Sequence, residues 1–122
     1  MVFPALLEGL SPEARQRVSR VLAGLPKISF SREEKLIYEG LPALGFYLIG
    51  LGQVKVVQQA RCGRNKIIKI VSQGELLGEE SVLADGVYDY FAETISPVET
   101  WFLKQEKFQE LVQRHPQLLR NL

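Results

Sequence analysis

Short apolar runs separated by glycine-containing turns fill the middle of this chain, from residue 27 to about residue 104. They are rich in Ile, Val, Tyr and Phe, which favour strands. Glycines 52, 63 and 74 recur every 11 residues, a turn spacing typical of short strands in a sandwich or barrel. The middle of the chain is therefore predicted to be a β domain, with strands at 28–30, 36–38, 46–49, 54–57, 67–71, 91–95 and 100–103. Segments 50–52 and 62–65 are predicted hairpin turns.

Helical patterns flank this β region on both sides. Ser11 followed by Pro12 is a helix start, with a hydroxyl cap and proline at the first helical position. Gly24 ends that helix. After residue 104 a second helical pattern runs to Pro116, which can open another helix with its first apolar positions at Leu118, Leu119 and Leu122. The fold class is therefore predicted to be mainly β with flanking helices.

Size and composition exclude several classes of protein. The 122 residues fit one domain of ordinary soluble composition. A net charge of +1 gives no case for nucleic-acid binding by this chain alone. One cysteine, Cys62, and one histidine, His115, leave neither an iron–sulfur cluster nor a metal-binding cluster, so no metal and no cofactor is expected. Because no apolar run reaches membrane-spanning length and the start lacks the basic residues of a signal peptide, we expect a cytoplasmic protein that contacts no membrane.

Charge is unevenly distributed along the chain. Residues 70–103 contain no Lys or Arg, yet they hold seven of the chain's 14 acidic residues: Glu75, Glu79, Glu80, Asp85, Asp89, Glu93 and Glu99. An anionic ligand would find little charge compensation in this segment.

Several fragments, taken in order, resemble the effector domain of the Crp/Fnr family of bacterial transcription regulators, which has the cyclic-nucleotide-binding fold. Residues 3–10 are similar to the family's opening F-x-x-L-x-x-L, residues 37–42 to its E-G-x-P turn, and residues 47–56 to Y-x-I-x-x-G-x-V-K-V. Residues 74–79 are similar to G-x-x-F-G-E, and residues 108–116 to F-x-x-L-x-x-x-x-P. The resemblance implies that residues 1–122 form one effector domain, a double-stranded β-helix, or jelly roll.

The resemblance also implies where an effector would bind. In the family, a short helix after the glycine–glutamate pair binds a cyclic phosphate with its backbone N–H groups, and the glutamate binds the ribose. An arginine before the next strand neutralises the phosphate. The corresponding effector-pocket candidates here are Gly78, Glu79, Glu80, Ser81, Tyr88, Asp89 and Tyr90.

The expected arginine is missing from this chain. It should precede Ala92, but residues 87–91 contain no base, and Asp89 stands nearly where the arginine belongs. An unpaired buried phosphate is costly, so we do not expect cyclic AMP or GMP to bind in the usual mode. An uncharged or amphiphilic small molecule near Tyr88, Tyr90 and Phe91 is one alternative. Cyclic-nucleotide binding with substitute bases is another, the candidates being Arg61, Arg64, Lys66 and Lys69.

The first functional hypothesis is a sensory and dimerisation domain of a Crp/Fnr-like transcription regulator. A dimerisation helix would begin at about 116–122, the parent protein would be a homodimer, and DNA would be bound only through a helix-turn-helix domain absent from this sequence. The second hypothesis is a free-standing ligand-binding or protein-interaction module of the same fold. We do not expect an enzyme, because no nucleophile–base pair, metal cluster or cofactor motif is present.

Overall fold

The computed structural model describes residues 3–84 and 86–122. In chain order the elements are α1 (Pro4–Leu7), α2 (Pro12–Ala23), β1 (Lys27–Phe30), β2 (Lys35–Ile37), β3 (Gly45–Leu51), β4 (Gln53–Gln59), β5 (Asn65–Ser72), β6 (Leu76–Leu77), α3 (Glu79–Leu83), β7 (Phe91–Thr94), β8 (Val98–Lys104), α4 (Gln105–Arg114) and α5 (Gln117–Arg120). All seven predicted strands are present, and the two-residue strand β6 was not predicted. The mainly β fold with flanking helices is confirmed.

The strands form two four-stranded sheets, ordered β1-β8-β3-β6 and β2-β7-β4-β5. Neighbouring strands in both sheets are antiparallel. Apolar side chains from both sheets fill the core, and Phe46 and Leu48 of β3 and Val54 and Val56 of β4 are completely shielded from solvent. Burying such side chains stabilises the fold by about 1.5–3 kcal/mol each.

One of the two predicted hairpins is wrong. Strands β3 and β4 follow each other directly, but they belong to different sheets, so the turn around Gly52 carries the chain from one sheet to the other. The glycine signal identified the turn correctly, but it does not reveal which strands pair. The hairpin at 62–65 is confirmed, because β4 pairs with β5 along its whole length from Gln53↔Ser72 to Gln59↔Asn65.

The flanking helices pack on the sandwich as their patterns predict. The Ser11 hydroxyl accepts a hydrogen bond of 3.1 Å from the Ala14 N–H and so caps α2. In α4, the Phe108 ring meets Phe46 edge to face, with ring centroids 5.3 Å apart. The side-chain amide of Asn121, just after α5, donates to the carbonyl oxygens of Leu6 (2.6 Å) and Glu8 (2.8 Å). Both ends of the chain are thereby tied together.

Over the same described residues, no helix is long and apolar enough to cross a membrane.

Candidate functional site

A tight turn into α3 forms the base of the candidate site. Strand β6 pairs with β3 through Leu48↔Leu76 and Tyr47↔Leu77, and Gly78 then takes a left-handed conformation with φ of 91° at the N-terminus of α3. A Cβ on Gly78 would lie 3.3 Å from the Ile37 side chain. Glycine is therefore required here both for the backbone angle and for the close packing.

Two tyrosines from the segment before β7 line the inner side of this turn. The rings of Tyr88 and Tyr90 meet edge to face, with centroids 5.8 Å apart. The Tyr88 hydroxyl donates a hydrogen bond of 3.0 Å to the Gly45 carbonyl. Burial, with smaller contributions from the Tyr47 and Glu80 side chains, raises the pKa of Tyr88 to about 12. Burial, and then the charge of Glu80, raises the pKa of Tyr90 further. Both phenols are therefore neutral hydrogen-bond donors at physiological pH.

Two buried polar atoms at this site have no hydrogen-bond partner among residues 3–84 and 86–122. They are Oε2 of Glu79 and the hydroxyl of Tyr90. A buried polar atom left unpaired costs about 1–3 kcal/mol, so native structures usually provide it with a partner such as a water molecule or a ligand. Of the two, the Glu79 oxygen is the clearer orphan, because the Ser81 and Glu80 side chains lie close to the Tyr90 hydroxyl.

Glu79 faces a cavity that also contains a lysine. The cavity has a volume of about 240 Å³ and is lined by residues that include Phe3, Leu6, Lys69, Leu76, Glu79, Asn121 and Leu122. Lys69 of β5 pairs with Val56 of β4; it lines the cavity although its side chain is largely exposed to solvent. Burial raises the pKa of the Glu79 carboxyl, and the Glu80 charge adds to this effect, whereas its own backbone amide and Lys69 oppose it.

The predicted pocket residues do not all point the same way. Ser81, Tyr88 and Tyr90 are buried and Glu79 is half-buried, but Glu80 and Asp89 are exposed. Asp89 accepts a hydrogen bond of 3.3 Å from the Gln58 side-chain amide. The position that points inward just before β7 is therefore Tyr90, and the carboxylate of Asp89 is turned towards solvent. Asp85 lies outside the described residues.

Among the four predicted substitute bases, only Lys69 lines the cavity. All four bases are exposed, and Arg61, Arg64 and Lys66 lie farther along the β4–β5 hairpin. Sequence reasoning missed the part of the wall that the ends of the chain supply, namely Phe3, Leu6, Asn121 and Leu122. The apolar pattern of residues 118–122 was visible in the sequence, but nothing there indicated that its end lines the same cavity as β5.

A second, largely apolar cavity of about 350 Å³ lies on another side of α3. Val82 and Leu83 of α3 face Phe108 and Val112 of α4 and Leu119 of α5 across it. Helix α3 is thus placed between the Glu79 cavity and the C-terminal helices. A shift of α3 would change its packing against α4 and α5.

Within the part of the chain that the structure describes, no group of three or more His, Cys, Asp or Glu side chains is placed to hold a metal ion. His115 ends α4, and Cys62 is exposed at the hairpin tip.

Comparison with known proteins agrees with this architecture. Residues 27–115 match the family model described as "Cyclic nucleotide-binding domain". This segment runs from the start of β1 to the end of α4 and therefore contains Gly78, α3 and the two tyrosines before β7.

Curated relatives and solved structures match nearly the whole chain. The cyclic AMP receptor protein of Thermus thermophilus is 26% identical over 117 residues, covering 96% of this chain and 53% of that protein. A CRP-like cAMP-activated global transcriptional regulator of Mycobacterium tuberculosis is 24% identical, covering 96% and 51%. The crystal structure of the Thermus thermophilus catabolite activator protein superposes with a TM-score of 0.85 at 26% identity, covering 96% of this chain and 54% of that chain. The chain spans about half the length of the curated relatives it matches.

Proposed function

The chain belongs to the cyclic nucleotide-binding domain family and is similar to CRP-like transcription regulators; on this basis we propose that it is the effector-sensing domain of such a regulator. The domain would bind a small molecule in the Glu79 cavity and transmit its presence to the C-terminal helices. The observation that carries this proposal is the buried, unpartnered carboxylate oxygen of Glu79 at a cavity shared with Lys69.

The cavity favours a small polar ligand with at least one hydrogen-bond donor. Glu79 offers an acceptor, Lys69 offers a donor and a positive charge, and Phe3, Leu6 and Leu76 supply apolar contacts. A few convergent polar groups in an apolar cavity are typical of small-molecule sites. A ligand donor to Glu79 would satisfy the orphaned oxygen and so contribute binding free energy.

Cyclic AMP or GMP in the usual mode is not the ligand we propose. The segment from Ile70 to Leu103 carries no base, and the inward position before β7 holds the neutral Tyr90. A phosphate there would lack a charge-assisted partner. The second candidate function is nonetheless cyclic-nucleotide binding with Lys69 as the phosphate partner, because Lys69 lines the same cavity as Glu79.

We propose that the signal passes through α3. A ligand held by Glu79 would contact the first residue of α3, while Val82 and Leu83 of the same helix face α4 and α5. If the ligand binds one arrangement of α3 against these helices more tightly than another, it would shift the population towards the arrangement that it prefers. In a longer parent protein, a helix continuing from α5 would dimerise and hold two DNA-binding domains in position.

This role makes the protein a cytoplasmic regulator and not an enzyme. Of the relatives that match, one is named a cyclic AMP receptor protein and another a CRP-like cAMP-activated global transcriptional regulator, and neither name describes an enzyme. Glu79 and Glu80 are adjacent, and only Glu79 is partly buried, so the two carboxylates do not make an acid–base pair across a substrate.

Thermal unfolding with cyclic AMP, cyclic GMP and a panel of neutral, zwitterionic and cationic metabolites tests the proposal. A ligand at about 100 times its dissociation constant should stabilise the domain by roughly 2.7 kcal/mol. We expect a shift with a metabolite, abolished by E79Q, and none with either cyclic nucleotide. A cyclic-nucleotide shift abolished by Lys69→Met would establish the second candidate. Shifts that persist in both variants would refute this cavity as the site.

A further inference from the structure

The tip of the β4–β5 hairpin combines positive charge with exposed apolar side chains. We call this surface the basic hairpin and define it by Arg61, Arg64, Lys66, Ile67 and Ile68. Every residue from 60 to 70 is exposed, and Ile67 and Ile68 retain 55% and 46% of their accessible surface. None of these five residues lines the Glu79 cavity, so the proposed effector site does not account for them.

No acidic residue lies near the basic hairpin in the sequence to neutralise its positive charge. Residues 53–74 contain no Asp or Glu. The three ion pairs found among the described residues join Lys27 to Glu99, Lys55 to Glu93 and Lys107 to Glu110, and none involves the basic hairpin. Three cations therefore stand within six residues of one another with their charges directed to solvent, and a partner of opposite sign would be attracted to them.

The hairpin also has a free backbone edge. Strand β5 is the last strand of its sheet, and β4 is the only strand that pairs with it within residues 3–84 and 86–122. An edge strand presents unpaired N–H and C=O groups that can accept an added strand. Ile68 is the extra residue at a register shift, since Val56 pairs with Lys69 and Val57 with Ile67. The shift interrupts the regular ladder and leaves Ile68 outside it.

From this combination we propose that the basic hairpin docks an extended, acidic peptide segment carrying apolar side chains, which lies along the free edge of β5. Backbone pairing would supply affinity, Ile67 and Ile68 would cover apolar side chains, and Arg61, Arg64 and Lys66 would pair with carboxylates. Two exposed isoleucines contribute nothing to binding phosphates, so nucleic acid fits this surface less well. A second copy of the hairpin fits poorly, because edge pairing would set like charges against each other.

The test titrates the 122-residue chain into a fluorescein-labelled dodecapeptide of alternating glutamate and valine and follows anisotropy. Hydrogen exchange then locates the bound peptide. We expect binding that weakens with salt, together with slower exchange of the β5 amides. A glutamate–serine peptide should bind at least several-fold more weakly, since it lacks the apolar side chains, and a lysine–valine peptide should not bind.

Two variants separate the contributions of charge and apolar contact. R61E/R64E should weaken binding about fivefold or more, on the basis of two exposed charge pairs, and I67S/I68S should weaken it comparably. The matched control R17E/R20E reverses two exposed arginines on α2 and should leave affinity unchanged. Thermal unfolding checks that each variant is folded.

Equal binding by all four proteins would overturn the proposal, as would no binding of the glutamate–valine peptide, or exchange protection away from β5. Tighter binding of duplex DNA or anionic phosphatidylserine vesicles than of the peptide, lost in R61E/R64E, would also overturn it in favour of that partner. None of these outcomes depends on the Glu79 cavity.

Discussion

The Tyr88 hydroxyl donates a hydrogen bond of 3.0 Å to the backbone carbonyl of Gly45, 43 residues earlier in the sequence. This bond ties the segment that follows α3 to the first residue of β3. Tyr88 also packs against Gly78, where an added Cβ would lie 3.5 Å from its ring. The Tyr88 phenol therefore adds a side-chain tether to the backbone hydrogen bonds that Tyr88 makes with Gly40 and Leu41.

Replacing Tyr88 with phenylalanine should destabilise the domain by about 1–2 kcal/mol, because the buried Gly45 carbonyl loses this donor. Urea unfolding followed by tryptophan fluorescence measures the change. Tyr38→Phe serves as the control, since Tyr38 is 51% exposed and should change stability by less than about 0.5 kcal/mol. Equal stabilities for Tyr88→Phe and the unmodified chain would show that the hydrogen bond does not hold the loop.

Gly52 is the turn at which the chain leaves one sheet for the other, and it has no room for a side chain. Its φ is 92°, and a Cβ there would lie 2.3 Å from the carbonyl oxygen of Pro97. Gly52→Ala should therefore cost on the order of 3 kcal/mol, from backbone strain plus overpacking.

Gly63 provides the matched control for this substitution. It has a similar φ of 83°, but nothing lies within 4 Å of a Cβ built there. Gly63→Ala should therefore cost only the backbone strain, about 1–2 kcal/mol. Chemical denaturation of both variants isolates the steric effect, and equal costs would contradict the close approach to Pro97.

The fold was more accessible from the sequence than the site. Strand runs and the cap at Ser11 depend on local residue patterns, so they were predicted, and the loop at Gly78 was predicted from its resemblance to the family motif. The pairing partners of β3 and β4 depend on contacts between sheets and were not. At the site, the sequence could place Asp89 and Tyr90 next to each other, but which of them points inward depends on strand direction and on Gln58. The sequence shows that the arginine is missing, but only the structure shows that Tyr90 faces inward at that place.

Asn121 fastens the C-terminal end of the chain to the N-terminal helix through hydrogen bonds to the carbonyls of Leu6 and Glu8. Asn121→Asp keeps the side-chain shape but removes both donors, so we expect a loss of about 1–3 kcal/mol and faster amide exchange from Leu118 to Leu122. Hydrogen exchange resolved by residue measures this change. Asn65→Asp, on the exposed hairpin, is the control. If α5 exchanges no faster in Asn121→Asp than in the control, the tether does not hold the helix.

Glu79 should make the stability of the domain fall as pH rises from mildly acidic values. Burial raises the pKa of this carboxyl in the folded state above its ordinary value. Between the unfolded and the folded pKa, the folded state therefore binds more protons than the unfolded state. Stability contributed by the protonated group is fully present below the unfolded pKa and is lost as pH rises through the folded pKa.

The substitution E79Q removes this titration while keeping the size of the side chain. Its unfolding free energy, measured by urea denaturation from pH 4 to pH 8, should fall less steeply with pH than that of the unmodified chain, and E79Q should be the more stable protein at pH 7. Glu39→Gln, at an exposed position, controls for the change in net charge. Lys69→Met should steepen the fall, because Lys69 favours the ionised form of Glu79. Parallel pH profiles for E79Q and the unmodified chain would mean that the Glu79 carboxylate is solvated. The Glu79 oxygen would then no longer support the proposal that the cavity binds a polar ligand.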